Sequence, residues 1–316
     1  MTKKTYTIGV IAPSLPSEGK RKEKVQAAIA HLEKSGHTVL TGKSAYAITG
    51  YKSASAQERA AELLTFLTDP SVDMIVATTG GYNSNEILEF LDLSKIAPTQ
   101  KTFVGYSDCT TLSMAFQRYN VCSSVCGPML VDYVDYPECF ERLFSALDGT
   151  PRLLTNESES WESSEKGRFS MAPMRRLTNK NSSGVGSALA ANLSTLCLML
   201  GTPYLPSFSE RVLFLEYDRE EQTALPSVER FLWQLRQNGA LQNLAGLVFG
   251  ALQPSVAAEE TDTDTIERIL GEVTAEYTYP VIYNAQFGHI YPSWVIVNGQ
   301  ETRISDDGLS VSLSVR

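Results

Sequence analysis

Histidine, tryptophan and cysteine are all scarce in this sequence: its 316 residues hold three, three and five of them. Three histidines give a structural zinc site little to draw on. The cysteines are odd in number and lack paired spacing, with Cys122 and Cys126 the closest pair. That pattern fits reduced thiols in a cytoplasm better than a disulfide framework, and no metal is expected. Basic residues are outnumbered, 27 Lys and Arg against 36 Asp and Glu, and the net charge of -9 lacks the cationic footprint that phosphate-backbone binding needs. A nucleic acid polymer is therefore not expected as a partner. No run of about 18 apolar residues occurs, so no membrane span is expected. The start carries Lys3 and Lys4, but the apolar stretch after them is short and meets Pro13 and Pro16. It reads as a first strand, not a secretion signal.

What is present is an ordinary globular composition, 43% hydrophobic and 20% charged, in a length of about two domains. Residues 1–150 alternate short apolar runs with amphipathic ones. The pattern predicts strands over Tyr6 to Ile11, around Val39 and Leu40, over Asp73 to Thr78 and over Thr102 to Tyr106. Helices are predicted over Arg21 to Lys34, Ser55 to Leu67, Asn83 to Leu91 and Asp108 to Tyr119, with Ser55 and Glu58 spaced as a capping box. Such alternation predicts an α/β domain built on a doubly wound parallel sheet, whose ligands bind outside the carboxyl ends of the strands. Residues 151–190 read as a connector and flap: Glu157, Glu159, Glu162 and Glu165 stand among serines with Trp161 as the sole aromatic residue of that acidic run. Residues 191–316 predict a mixed α/β domain, with a helix from Asn192 to Leu200, a strand from Val212 to Tyr217, and a tail of antiparallel strands with turns at Asn298-Gly299 and Asp307-Gly308.

Two nucleotide-loop patterns fail. Gly42-Lys43-Ser44 lacks the upstream glycine, since position 37 is His37, and Gly184-Val185-Gly186 lacks a small residue at Leu189. The informative segments lie at strand ends. Gly105-Tyr106-Ser107-Asp108 places a serine where a buried strand turns into a helix. Ser107 is there either a nucleophile, with the next N–H favouring a developing oxyanion, or only the helix N-cap. Cys109 in the fifth position departs from the Gly-x-Ser-x-Gly elbow. Gly80-Gly81 lets backbone N–H groups approach a ligand, or makes a tight turn ahead of Asn83. A serine nucleophile needs a base. His31 and His37 read as surface residues, which leaves His289, in Phe287-Gly288-His289, as partner or as a structural histidine. Glu216 ends an apolar strand, where it orients the base or is simply solvated.

Taken in order, Ala12-Pro13-Ser14, Gly80-Gly81-Tyr82-Asn83-Ser84-Asn85, Gly105-Tyr106-Ser107-Asp108, Asn192-Leu193-Ser194-Thr195-Leu196, Leu213-Phe214-Leu215-Glu216 and Phe287-Gly288-His289 resemble the LD-carboxypeptidase family of serine peptidases, which includes the microcin C immunity proteins. Asn-Ser-Asn after Gly-Gly-Tyr is more similar to the immunity branch. Ala190-Ala191 stands where the family often has Gly-Gly. The resemblance implies a Ser107-Glu216-His289 triad, an oxyanion hole from the Gly81 and Asp108 N–H groups, substrate contacts at Asn83, Asn85 and Asn192, no cofactor, and a cytoplasmic homodimer. Trp161 is either an incidental surface aromatic or stacks on a flat group of the substrate. The expected reaction is cleavage of an amide bond near the carboxyl end of a small peptide or peptidyl-nucleotide. A murein tetrapeptide is the competing substrate, and a non-catalytic two-lobed binding protein is the competing class.

Overall fold

The computed structural model describes the chain apart from residues 1–3, 150, 157–159, 164–167, 171, 179, 182, 219–223, 262–264, 306–310 and 315–316. The packing divides it into two units, Met1–Leu143 with Pro203–Pro206, and Phe144–Thr202 with Ser207–Arg316.

In the first unit, strands β1 (Thr7–Ile11), β2 (Thr38–Thr41), β3 (Met74–Ala77), β4 (Thr102–Val104) and β5 (Ser123–Cys126) pair in parallel in the order β2-β1-β3-β4-β5. The order reverses between β1 and β3, the switch point at which open α/β sheets bind ligands. Both faces of the sheet are covered, so Ile8, Val10, Ile75, Val76, Phe103 and Val104 are all buried, each contributing about 1.5–3 kcal/mol. Helices α1 (Lys20–Lys34), α2 (Ala56–Thr68) and α3 (Thr110–Tyr119) complete the alternation, and α4 (Cys139–Leu147) begins in this unit and ends in the next. α2 starts on the capping box: the Ser55 hydroxyl accepts from Glu58 N at 3.3 Å and the Glu58 carboxylate accepts from Ser55 N at 3.0 Å.

Two sequence expectations change here. The segment read as a helix from Asn83 to Leu91 is a 3₁₀ helix over Ser84–Phe90. His37 is not at the surface: it is buried, its Nδ1 accepts from Tyr6 N at 3.1 Å, and its ring stacks on Tyr6. The Gly36 turn brings the chain straight back alongside β1, which sets the imidazole against the Tyr6 N–H.

The strands of the second unit are β6 (Arg152–Leu154), β7 (Ser160–Ser163), β8 (Arg168–Ser170), β9 (Arg175–Arg176), β10 (Gly184–Asn192), β11 (Arg211–Glu216), β12 (Gly246–Gly250), β13 (Val281–Ala285), β14 (Ile290–Tyr291), β15 (Ile296–Val297), β16 (Glu301–Ile304) and β17 (Val311–Ser314). A parallel core, β10-β11-β12-β13, is flanked by antiparallel β16, β17 and β6 on one side and β9 on the other. Helices α5 (Leu193–Leu198), α6 (Ala224–Asn238), α7 (Pro254–Ala257) and α8 (Ile266–Val273) belong to the same unit. The mixed sheet with its antiparallel C-terminal hairpin agrees with the sequence reading, although the Asp307-Gly308 turn lies outside the described residues. Parts of the segment read as connector and flap are strands. β6 and β10 belong to the large sheet, and β7 lies in a small antiparallel sheet between β8 and β14.

Candidate active site

Ser107 follows β4 and opens a short 3₁₀ turn, Ser107–Cys109, that leads into α3. Its φ is 60°, a left-handed conformation that costs a non-glycine residue about 1–3 kcal/mol and is kept where surrounding structure enforces it. Ser107 caps no helix N–H among the described residues. A strained serine at a strand-to-helix turn is the form taken by the nucleophile of α/β serine hydrolases.

The Gly80-Gly81 turn after β3 lies against it. A Cβ on Gly80 would stand 3.0 Å from Ser107 Cβ and 3.2 Å from its hydroxyl. Gly81 has φ 149°, and a side chain there would run into Ser14 and Leu15. The Ser14 hydroxyl accepts from Tyr82 N at 2.9 Å and from Asn83 N at 3.2 Å. From the other side, Asp108 Oδ2 accepts from Asn83 N and Ser84 N, both at 2.9 Å. The turn is thus held at residues 82–84, while the N–H groups of Gly81 and Asp108 have no acceptor among the described residues. Paired backbone N–H donors are the groups with which a protein holds an anion. Sequence reasoning used Asp108 for its N–H alone and missed its carboxylate. Of the polar residues expected nearby, Asn83 is buried and Asn85 exposed. Cys109, the alternative nucleophile, is fully buried, and burial, followed by the charge of Asp108, pushes its thiol well above the ordinary range. It stays an inert thiol.

The second unit assembles the other two residues. The register pairs Asn192 with Glu216 at the ends of β10 and β11. Glu216 is 1% exposed, and its Oε2 lies 2.6 Å from His289 Nδ1. Its Oε1 accepts from Asn192 Nδ2 at 3.0 Å. Asn192 is itself fixed as the α5 N-cap, with Oδ1 accepting from Thr195 N at 3.1 Å. The buried carboxylate therefore spends both oxygens on directed bonds, as an uncompensated buried charge could not persist. Asp218, which the sequence reading missed, places Oδ2 3.5 Å from His289 Nε2. Its position two residues beyond Glu216 on an extended chain was the available signal. His289 leads directly into β14, where Ile290 pairs with Ser163 and Tyr291 with Glu162 of β7. The backbone of Trp161 faces Phe169 of β8; its side chain lies outside what the structure describes.

The parallel sheet and its helices define the class of fold, α/β, and comparison with known proteins defines the family. Residues 8–127 match the LD-carboxypeptidase N-terminal domain and residues 185–304 the LD-carboxypeptidase C-terminal domain. The chain belongs to the LD-carboxypeptidase family. It is 27% identical to a probable murein peptide carboxypeptidase of Bacillus subtilis, over 95% of this chain and 88% of that protein. It is 24% identical to the microcin C7 self-immunity protein MccF of Escherichia coli, over 98% and 93% of the two chains. Among solved structures it is similar to an MccF-like protein from Bacillus anthracis, with TM-score 0.88 and 27% identity over 99% of this chain and 98% of that one. The chain is thus a serine carboxypeptidase-type hydrolase, and the reading as a non-catalytic binding protein is set aside.

Proposed function

We propose that Ser107, His289 and Glu216 form the catalytic triad of an amidase that cleaves near the carboxyl end of a peptidyl-nucleotide of the microcin C type. The observation that carries this is the left-handed Ser107, at φ 60°, beside the N–H groups of Gly81 and Asp108, which have no acceptor among the described residues. Glu216 on Nδ1 favours the tautomer with its proton there, in which Nε2 is the nitrogen that accepts a proton. Ser107 Oγ attacks the scissile carbonyl, its proton passes to His289 Nε2, and the oxyanion forms between the Gly81 and Asp108 amides. The imidazolium returns the proton to the departing nitrogen as the C–N bond breaks. Water, deprotonated by the same imidazole, then attacks the acyl-enzyme, and the imidazolium returns that proton to Ser107 Oγ as the ester C–O bond breaks and the free acid leaves.

Support for the substrate comes from relatives: MccF has been solved with aspartyl sulfamoyl adenosine and with glutamyl sulfamoyl guanosine. Trp161 stacks on the base in this reading, and Asn83 and Asn85 line the substrate's path. Asn192 holds Glu216 beside the same path. A murein tetrapeptide is the second reading, favoured by the likeness to the Bacillus subtilis enzyme. A homodimer, a cytoplasmic location and the lack of any cofactor belong to the proposal and rest on the family resemblance. The test is a mass-spectrometric assay of the purified protein on aspartyl sulfamoyl adenosine and a murein tetrapeptide side by side. Faster cleavage of the nucleotide conjugate is expected, and cleavage of the tetrapeptide alone would reverse the substrate assignment.

A further inference from the structure

We propose that Arg59 is a positioning residue for catalysis: its buried guanidinium sets the Gly80-Gly81 turn and through it the rate of bond making. The inference rests on the reading of Gly81 as an oxyanion donor.

Arg59 lies near the start of α2 and is 1% exposed. A guanidinium is kept in such a place only if its donors are used. Nε donates to Ala54 O at 3.1 Å, Nη2 donates to Glu86 Oε2 at 2.7 Å, and Nη1 reaches Pro13 O at 2.5 Å, Asn83 O at 3.0 Å and Asn83 Oδ1 at 2.8 Å. Pro13 is on the loop after β1 and Asn83 on the loop after β3. One cation therefore ties together the two loops that flank the switch point and anchors both to α2. Glu86 is held in turn by Lys52.

These bonds complete the clamp described above. Ser14 and Asp108 hold the N–H groups of residues 82–84, and Arg59 holds the carbonyl oxygen of Asn83. Arginine only donates, so the Asn83 amide must turn its oxygen toward Arg59 and its Nδ2 away. With the N–H groups of residues 82–84 and the carbonyl of Asn83 held downstream, and Gly80 O accepting from Leu15 N at 3.3 Å upstream, the turn that carries the Gly81 N–H is fixed from both ends. An oxyanion donor is effective only when aimed in advance at the place where charge develops. A cation with a purely stabilising role could have its partners anywhere in the unit; these lie on the two loops beside the serine or on the segments that adjoin them.

The variant Arg59→Lys keeps the charge but cannot span acceptors on three segments. Its kcat on aspartyl sulfamoyl adenosine, or on the murein tetrapeptide if that is the better substrate, should fall about 30- to 300-fold, near the 10²- to 10³-fold loss seen when one oxyanion donor is removed. KM should stay within about threefold, because Arg59 is 1% exposed and so is closed off from a bound substrate. Glu86→Ala leaves the arginine in place and removes the Nη2 acceptor; kcat should fall about three- to tenfold with KM unchanged. A folded Arg59→Lys whose kcat is within threefold of the parent, or whose loss lies in KM, overturns the proposal. If Arg59→Lys does not fold, an unchanged kcat in Glu86→Ala overturns it. Ser107→Ala separates this inference from the reading beneath it. Activity in Ser107→Ala refutes the triad whatever Arg59 does, whereas an inactive Ser107→Ala beside a fully active Arg59→Lys refutes only the role of Arg59.

Discussion

A single methyl group at position 288 should pull the Glu216–His289 pair apart. Gly288 has φ +115°, and a Cβ built there would lie 2.7 Å from Glu216 Cβ and 3.2 Å from its Oε2. Carbon atoms pack at roughly 3.5–4.0 Å, so about 1 Å must be found by moving one side or the other. Glu216 has little room to retreat, being 1% exposed and tied through Oε1 to Asn192. The 2.6 Å bond to His289 is the contact that gives way. Backbone strain contributes about 1–3 kcal/mol and overpacking a similar amount, which together lower the melting temperature by roughly 5–20 °C at about 2–4 °C per kcal/mol. The catalytic cost is larger, because a triad histidine that loses its carboxylate loses about 10⁴-fold in kcat. Gly288→Ala should therefore show kcat lowered about 10³- to 10⁴-fold with KM little changed, measured by mass spectrometry on material shown by circular dichroism to be folded. A Gly288→Ala protein with kcat within tenfold of the parent and an unchanged melting temperature would refute this account of the pair.

Cys109→Ala should keep most of the activity, since its thiol is buried and held protonated; a folded but inactive variant would move the nucleophile to the cysteine. Glu216→Gln should be milder than His289→Ala, because the carboxylate orients a base that still works poorly without it; equal losses in steady-state kcat would deny Glu216 a merely orienting role. Trp161→Ala should slow cleavage of a peptidyl-nucleotide about tenfold to a hundredfold, as the loss of 1 to 3 kcal/mol of base stacking implies, and should leave murein-peptide cleavage nearly unchanged. Equal loss on both substrates would make Trp161 a structural residue.

The first unit was legible because Met74–Ala77 and its neighbours are continuous apolar runs bounded by turn residues, the pattern of strands buried on both faces. β10 was not legible. Gly184, Gly186 and three alanines carry little strand propensity, and the glycines are there because the Ala245 and Glu210 carbonyls leave no space for a Cβ. β7 was hidden by its serines and glutamate, which read as a solvated connector until pairing with β8 and β14 gave them a register. At the site, strand ends and scarcity made Ser107, Glu216 and His289 candidates and the ordered motifs of the family resemblance favoured them as a triad, whereas the left-handed angle at Ser107 is one that no residue type encodes. Arg59 escaped notice for a related reason. An arginine among Gln57, Glu58 and Glu62 on an amphipathic helix reads as a solvent-facing charge, and only the convergence of two distant loops reveals it as buried.

The central claim, that Ser107 is the nucleophile, is tested most directly by the turnover of Ser107→Ala under single-turnover conditions, with substrate binding measured alongside. The account predicts a rate lower by about 10⁴-fold or more with binding and melting temperature preserved, because the hydroxyl is needed for bond making and caps no helix among the described residues. A Ser107→Ala protein that turns over within tenfold of the parent would contradict it.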